Sequence, residues 1–101
     1  MRSVRFHARI EFDLGRAVAW YDREQPGLGD RFLGEFRDAA HQIAVAGHVV
    51  RRPDGVHRHL KLRSFPYLVF FRDDGTDFMV LLVVNAVRDP ALISHLLDDR
   101  R

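Results

Sequence analysis

Residues 78–84 read FMVLLVV, the most hydrophobic stretch of the chain. A run of this length, with no polar residue to face water, fits a strand covered on both sides. It is therefore predicted to be the central strand of a sheet. Asp73-Asp74-Gly75 just before it has the chemistry of a tight turn. The stretch before that turn should then be the neighbouring strand.

That stretch, residues 57–71, reads HRHLKLRSFPYLVFF and divides into two strands around Phe65-Pro66. Side chains on a strand alternate between faces. His57, His59, Lys61 and Arg63 therefore share one face, and Arg58, Leu60 and Leu62 take the other. YLVFF is almost wholly apolar and should be flanked on both sides. Stacked imidazole and cationic groups suit a phosphate or an acidic partner. They also suit a solvated edge strand, whose charges discourage pairing with another chain.

Upstream, Val4, Phe6, Ala8, Ile10 and Phe12 alternate with Arg5, His7, Arg9 and Glu11. The alternation predicts a half-buried first strand over residues 4–12, with His7 solvated. Asp13 is placed to cap a helix running to about Gln25, with Leu14, Ala17, Val18 and Tyr21 as its apolar stripe and Gly15 weakening the first turn. Trp20 and Tyr21 are expected to pack in the core. After the break at Pro26-Gly27-Leu28-Gly29, residues 28–46 carry Leu28, Phe32, Phe36, Ala40 and Ile43 at helical spacing, widened by Leu33, Ala39 and Ala44. Asp30, Arg31, Glu35, Arg37 and Asp38 fill the outer side, where Glu35 could pair with Arg31. Gly47 is a C-terminal cap candidate. The two helices should form a hairpin over one face of the sheet. Residues 48–56 connect to the next strand, with a turn at Pro53-Asp54-Gly55. Residues 91–99 form a short last helix with Leu92, Ile93, Leu96 and Leu97 on its apolar side. Segregated helices and strands in this order give an α+β fold in which a helical hairpin packs on a four-stranded, mostly antiparallel sheet.

The totals bound the function. A chain of 101 residues makes one domain, residues 1–101. Its net charge of +2 is too small to argue nucleic-acid binding, although arginine dominates and Lys61 is the only lysine. Without cysteine there is no disulfide framework or thiolate metal site, which fits a cytoplasmic protein. No membrane-spanning run or signal peptide is visible. His57 and His59 lack a third ligand at metal-site spacing. No glycine-rich phosphate loop follows a strand. No metal or cofactor is expected.

Three blocks carry a likeness: AVAWYDREQPGLGDRFLGEF over residues 17–36, LKLRSFPYLVFFR over 60–72, and VVNAVRDP over 83–90. In this order, in a chain of this size, they resemble the RelE/ParE family of bacterial type II toxin–antitoxin toxins. The WY, PGLG and RxFPY features are most similar to the ParE, or plasmid-stabilisation, branch. The resemblance implies a compact sheet with two N-terminal helices. It implies a cognate antitoxin that wraps this sheet in a hetero-oligomer. It also implies a growth-inhibiting target: DNA gyrase for ParE-type members, or messenger RNA in the ribosomal A site for RelE-type endoribonucleases.

Carried over residue by residue, Lys61 and Arg63 match the basic strand of the RelE pattern, and His59 holds the place of another basic residue. Arg88 stands where a C-terminal arginine is expected. Leu68 follows Tyr67 where the RelE pattern has arginine, and Ala91-Leu92-Ile93 stands where its C-terminal tyrosine would be. Cleavage would need proton transfer by His59 and Lys61 and charge stabilisation by Arg63 and Arg88. If the chain acts by binding, Lys61, Arg63, Tyr67, Arg72 and Arg88 are the expected contacts to target or antitoxin. Trp20, Tyr21, Phe32 and Phe36 would join them only if the helical hairpin were part of that surface.

Overall fold

A computed structural model describes residues 1–101. Four strands form one sheet: β1 (Ser3–Phe6), β2 (Arg58–Lys61), β3 (Tyr67–Asp73) and β4 (Asp77–Asn85). Their spatial order is β1-β4-β3-β2. β2 and β3 pair antiparallel, as do β3 and β4, while β1 runs parallel to β4. Between β1 and β2 the chain forms α1 (Ile10–Glu24), α2 (Leu28–Ala46) and a single 3-10 turn, Gly47–Val49. It ends in α3 (Pro90–Asp99). The α+β layout read from the sequence is the one found.

β4 sits inside the sheet and is buried on both faces. Phe78, Val80 and Val83 join the cluster under α1 and α2, with Phe32, Phe36, Ile43, Val69 and Phe71. Leu81, Leu82 and Val84 join Phe70 and Leu97 in a second cluster, against which Ile93 and Leu96 of α3 pack. Both leucines reach the same cluster because the ladder slips at that point. Phe70 pairs with Leu82 and Phe71 with Val80, leaving Leu81 as the extra residue of a bulge.

The first strand is shorter than its alternation suggests. β1 stops at Phe6 and α1 begins at Ile10. Ile10, Leu14, Ala17, Val18 and Tyr21 also satisfy a helical period, and that period buries Ile10 and Ala17. Strand geometry would instead have buried Phe12, which is 53% exposed in the helix. His7 is only partly exposed, and its Nδ1 accepts the Arg9 N–H at 3.0 Å, at the entry to α1. Burial, helped by the Arg100 and Arg9 guanidiniums, holds its imidazole below the ordinary value. Asp13, expected as the cap, lies one turn inside α1.

Displaced from the cap, Asp13 closes a gap in the sheet. β1 pairs with β4 only as far as Val80, so the outer edge of β4 has no strand neighbour beyond that residue. Asp13 Oδ2 accepts the Val83 N–H at 3.0 Å, and Arg100 Nη1 donates to the Leu81 carbonyl at 3.1 Å. The two side chains also bind each other, with contacts of 2.5 and 2.8 Å. Both are 8% exposed. Buried charges tolerate such a position only when paired and hydrogen-bonded, and these are both.

Two glycines are required by close packing. A Cβ on Gly29 would stand 2.7 Å from Val18 Cγ1, where α1 and α2 approach each other. A Cβ on Gly47 would meet the Phe78 ring at 2.9 Å and the Phe71 ring at 3.1 Å. Gly47 does follow α2, but its φ of −58° is helical, so it serves there as space rather than as a left-handed cap. Its carbonyl accepts from Arg58 Nη1 at 3.0 Å, and Arg58 is buried on the helix side of β2.

Breaking a buried ion pair on one side costs about 3–5 kcal/mol. Arg100→Ala should therefore lower Tm by more than roughly 12 °C, whereas Arg101→Ala, at an exposed residue, should leave it nearly unchanged. The double variant Asp13→Ala/Arg100→Ala should lose clearly less than the sum of the two single changes. Thermal melts followed by circular dichroism check all three.

Candidate functional site

The basic row follows from the β2–β3 register. Arg58 and Leu60 pair with Phe71 and Val69, which face the helices. His59 and Lys61 pair with Phe70 and Leu68, which belong to the opposite cluster. The row therefore lies on the side of the sheet away from the helical hairpin. His59 is exposed, with its ring 5.0 Å from that of Phe70. Lys61 is exposed and Nζ reaches only the neighbouring Leu62 carbonyl, at 3.2 Å.

β2 ends at Lys61, but the alternation continues for two residues: Leu62 is buried and Arg63 exposed. The loop that carries Arg63 is pinned on both sides. Leu62 N donates to the Tyr67 carbonyl at 2.9 Å. Ser64 N donates to Glu35 Oε1 at 2.7 Å. Glu35 was expected on the outer side of α2, paired with Arg31. It is buried instead, because α2 turns this position toward the loop. Burial pushes its carboxyl upward, but the Ser64 hydrogen bonds and the nearby Arg63 and Arg31 charges outweigh this and hold it below the ordinary range.

The remaining candidates do not converge on that row. Tyr67 is turned into the aromatic cluster, 4.9 Å from Phe32 and 6.1 Å from Tyr21 between ring centroids. Arg72 is bound by Asp74, Nε to Oδ1 at 2.7 Å. Arg88 is exposed in the turn after β4 and lines a groove between α1 and α3, which His59, Lys61 and Arg63 do not line. His57 turns to Asp54, Nδ1 to Oδ2 at 2.7 Å, rather than forming a pair with His59. Burial raises the Asp54 carboxyl, but His57 and the Val56 and His57 N–H groups bring it down to about 2. No three His, Asp or Glu side chains gather in metal-binding positions. Trp20 and Tyr21 part company: Tyr21 packs against Phe65, with centroids 4.7 Å apart, while Trp20 is 50% exposed.

The same arrangement of elements occurs in a solved structure described as the chromosomal ParDE TA system from P. aeruginosa. The match has a TM-score of 0.73, at 21% identity, over 84% of this chain and 96% of that one. No family model matches the chain. By sequence, it is 27% identical to Toxin ParE2 of Mycobacterium tuberculosis, over 98% of this chain and 95% of the relative, in both strain CDC 1551 / Oshkosh and strain ATCC 25618 / H37Rv. The chain is thus similar in sequence to proteins named ParE toxins and in fold to the ParDE structure. The groups that structure and sequence both bring to one face of the sheet are His59 and Lys61, with the exposed Arg63 in the loop that follows, close enough to Glu35 to act on its charge. The groups that sequence reasoning missed are Glu35, which anchors the Arg63 loop, and the Asp13–Arg100 pair.

Removing Glu35 leaves the Ser64 N–H without its acceptor, at a cost of about 1–3 kcal/mol. Glu35→Ala should accordingly lower Tm by at least ~4 °C. Glu35→Gln, which retains an oxygen acceptor, should lose less. Melting curves of the three proteins side by side decide this.

Proposed function

We propose that this chain is the toxin of a type II toxin–antitoxin pair, of the plasmid-stabilisation kind. It arrests growth in the cytoplasm by binding an essential target, DNA gyrase, and its cognate antitoxin silences it in a hetero-oligomeric complex. One observation carries the choice of binding over catalysis: the residues that an RNA-cleaving site would need are dispersed. Cleavage at a 2′-hydroxyl needs a base, an acid and a charge stabiliser around one phosphate. His59 and Lys61 share a face and Arg63 follows in the next loop, but Arg88 lines a separate groove, and Tyr67, which borders that groove, is packed among aromatic rings. What remains is a short exposed row of cations, suited to electrostatic engagement of a macromolecular surface. In this reading Lys61 and Arg63 make the target contacts and His59 supports them. Arg72, held by Asp74, and Arg88 lie outside that contact. The likeness to proteins named ParE toxins supports the same direction.

The test uses purified protein in two assays. Inhibition of gyrase supercoiling is expected, weakened at least tenfold in Lys61→Glu/Arg63→Glu. Ribosome-dependent cleavage of a translated message is not expected. Cleavage that disappears in Lys61→Ala and Arg63→Ala would overturn the proposal in favour of a RelE-like endoribonuclease.

A further inference from the structure

The groove that Arg88 lines has its own chemistry. Its volume is about 730 Å³, and it runs between α1 and α3 over the last residues of β4. Clefts of that size suit small molecules. Arg9, Arg16 and Arg23 line its α1 side at seven-residue intervals, ~10.5 Å apart along one face of the helix. Arg88 enters from the turn after β4, and that turn is fixed. Asn85 Oδ1 accepts the Val87 N–H at 3.0 Å, and the Arg88 N–H donates to the Asn85 carbonyl at 3.1 Å. All four arginines are exposed, and none takes part in a salt bridge. Asp13, the one acid lining the groove, is committed to Arg100 and to the Val83 N–H. Two aromatic rings lie among these cations. Phe12 has two guanidinium carbons beside it, Arg9 at 5.3 Å and Arg16 at 5.8 Å from its centroid. Trp20 is 50% exposed and has only that of Arg23, at 5.9 Å, the outer limit of a cation–π contact. Trp20 is therefore the more open ring.

We propose that this groove binds a nucleoside polyphosphate, with its base stacked on Trp20 and its phosphates held by Arg16, Arg23 and Arg88. Arg16, Trp20 and Arg23 stand at i, i+4 and i+7 of α1, so the ring has a cation one turn to either side. An open aromatic face takes any flat base. Guanidinium forks match phosphate oxygens two at a time. The Asn85 side chain uses only its oxygen, so its amide N–H groups are free to donate to the base or the sugar. The groove binds the nucleotide without hydrolysing it. With Asp13 committed, no free acid lines the groove to hold a divalent cation or to activate water. A longer nucleic acid fits less well. Four cations sit in the groove while the whole chain carries only +2, so the rest of the chain is net negative and offers further phosphates little. The inference goes beyond the gyrase reading and does not rest on it, because β3 separates the groove on β4 from the basic row on β2.

Trp20 is the only tryptophan and lies in the groove, so its emission reports directly on occupancy. The probes are ATP, adenosine, inorganic tripolyphosphate and a short oligothymidine. Each is titrated into the full chain, with excitation at the red edge of the indole band, where nucleobases do not absorb. ATP should quench Trp20 saturably, with an affinity that falls as salt rises. Tripolyphosphate should displace ATP without quenching, and adenosine should bind at least tenfold more weakly than ATP. Arg16→Ala/Arg88→Ala should weaken ATP binding at least tenfold. Arg31→Ala/Arg37→Ala, at exposed positions of α2 outside the groove, should not change it. Melting curves check that both variants fold, and the competitions on the unaltered chain stand whatever the variants do. No quenching, quenching that never saturates, adenosine binding equal to that of ATP, or an equal loss in the α2 variant would each overturn the proposal. So would oligothymidine that displaces ATP and binds at least tenfold more tightly, since that assigns the groove to single-stranded nucleic acid. Failure here leaves gyrase inhibition through Lys61 and Arg63 untouched, so the two readings fail separately.

Discussion

The Asp13–Arg100 pair holds together three parts of the chain that meet nowhere else in this way. An unpaired strand edge exposes N–H and C=O groups that either find partners or invite another chain. β1 covers only the first part of β4, so the Leu81 carbonyl and the Val83 N–H are left without a strand partner on that edge. Two charged side chains, one from α1 and one from just after α3, take the place of the missing strand residues. The pair binds its own charges as well, which is what allows it to be buried. It thereby sets where α1 crosses the sheet and where the chain end is anchored.

With that edge closed, the two faces of the sheet are free to differ. One is covered by α1 and α2, and its contacts are almost wholly apolar. The other is only partly covered, because α3 is short and packs over β4 and part of β3. β2 lies at the far edge, where its outward side chains meet no helix. A row of exposed cations on β2 is thus a consequence of topology as much as of composition. The Glu35 carboxylate holds the loop in which Arg63 follows the strand. A second cationic surface arises where α1 and α3 flank β4 and Arg9, Arg16, Arg23 and Arg88 line the groove between them.

Much of this was legible in the chain itself. The period over residues 28–46 coincides with α2, and alternation places His59 and Lys61 opposite Leu60. Both signals are strong because each element buries one full face. The failures have physical causes. Over residues 4–12 the strand period and the helix period share Ile10, and only the sheet decides that the helix wins there. Reading Arg9 as a strand residue then hid its seven-residue relation to Arg16 and Arg23, so the groove went unseen. Glu35 has the sequence of a surface residue, and its acceptor role depends on a loop almost thirty positions later. The dispersal of Tyr67, Arg72 and Arg88 is likewise tertiary: an aromatic cluster, a local carboxylate and a turn claim them one by one. The Leu81 bulge has no marker in a run of apolar residues.

The central claim is that side chains, rather than a strand, complete the edge of β4. Amide hydrogen exchange at Val83 tests it most directly, since that N–H has Asp13 as its acceptor. In the native protein it should exchange only through global unfolding, as slowly as the amides inside the β3–β4 ladder. In Asp13→Ala, where the acceptor of the Val83 N–H and the partner of Arg100 are both lost, it should exchange through local opening and at least tenfold faster relative to that ladder. A Val83 amide that exchanges at loop rates in the native protein would contradict the account.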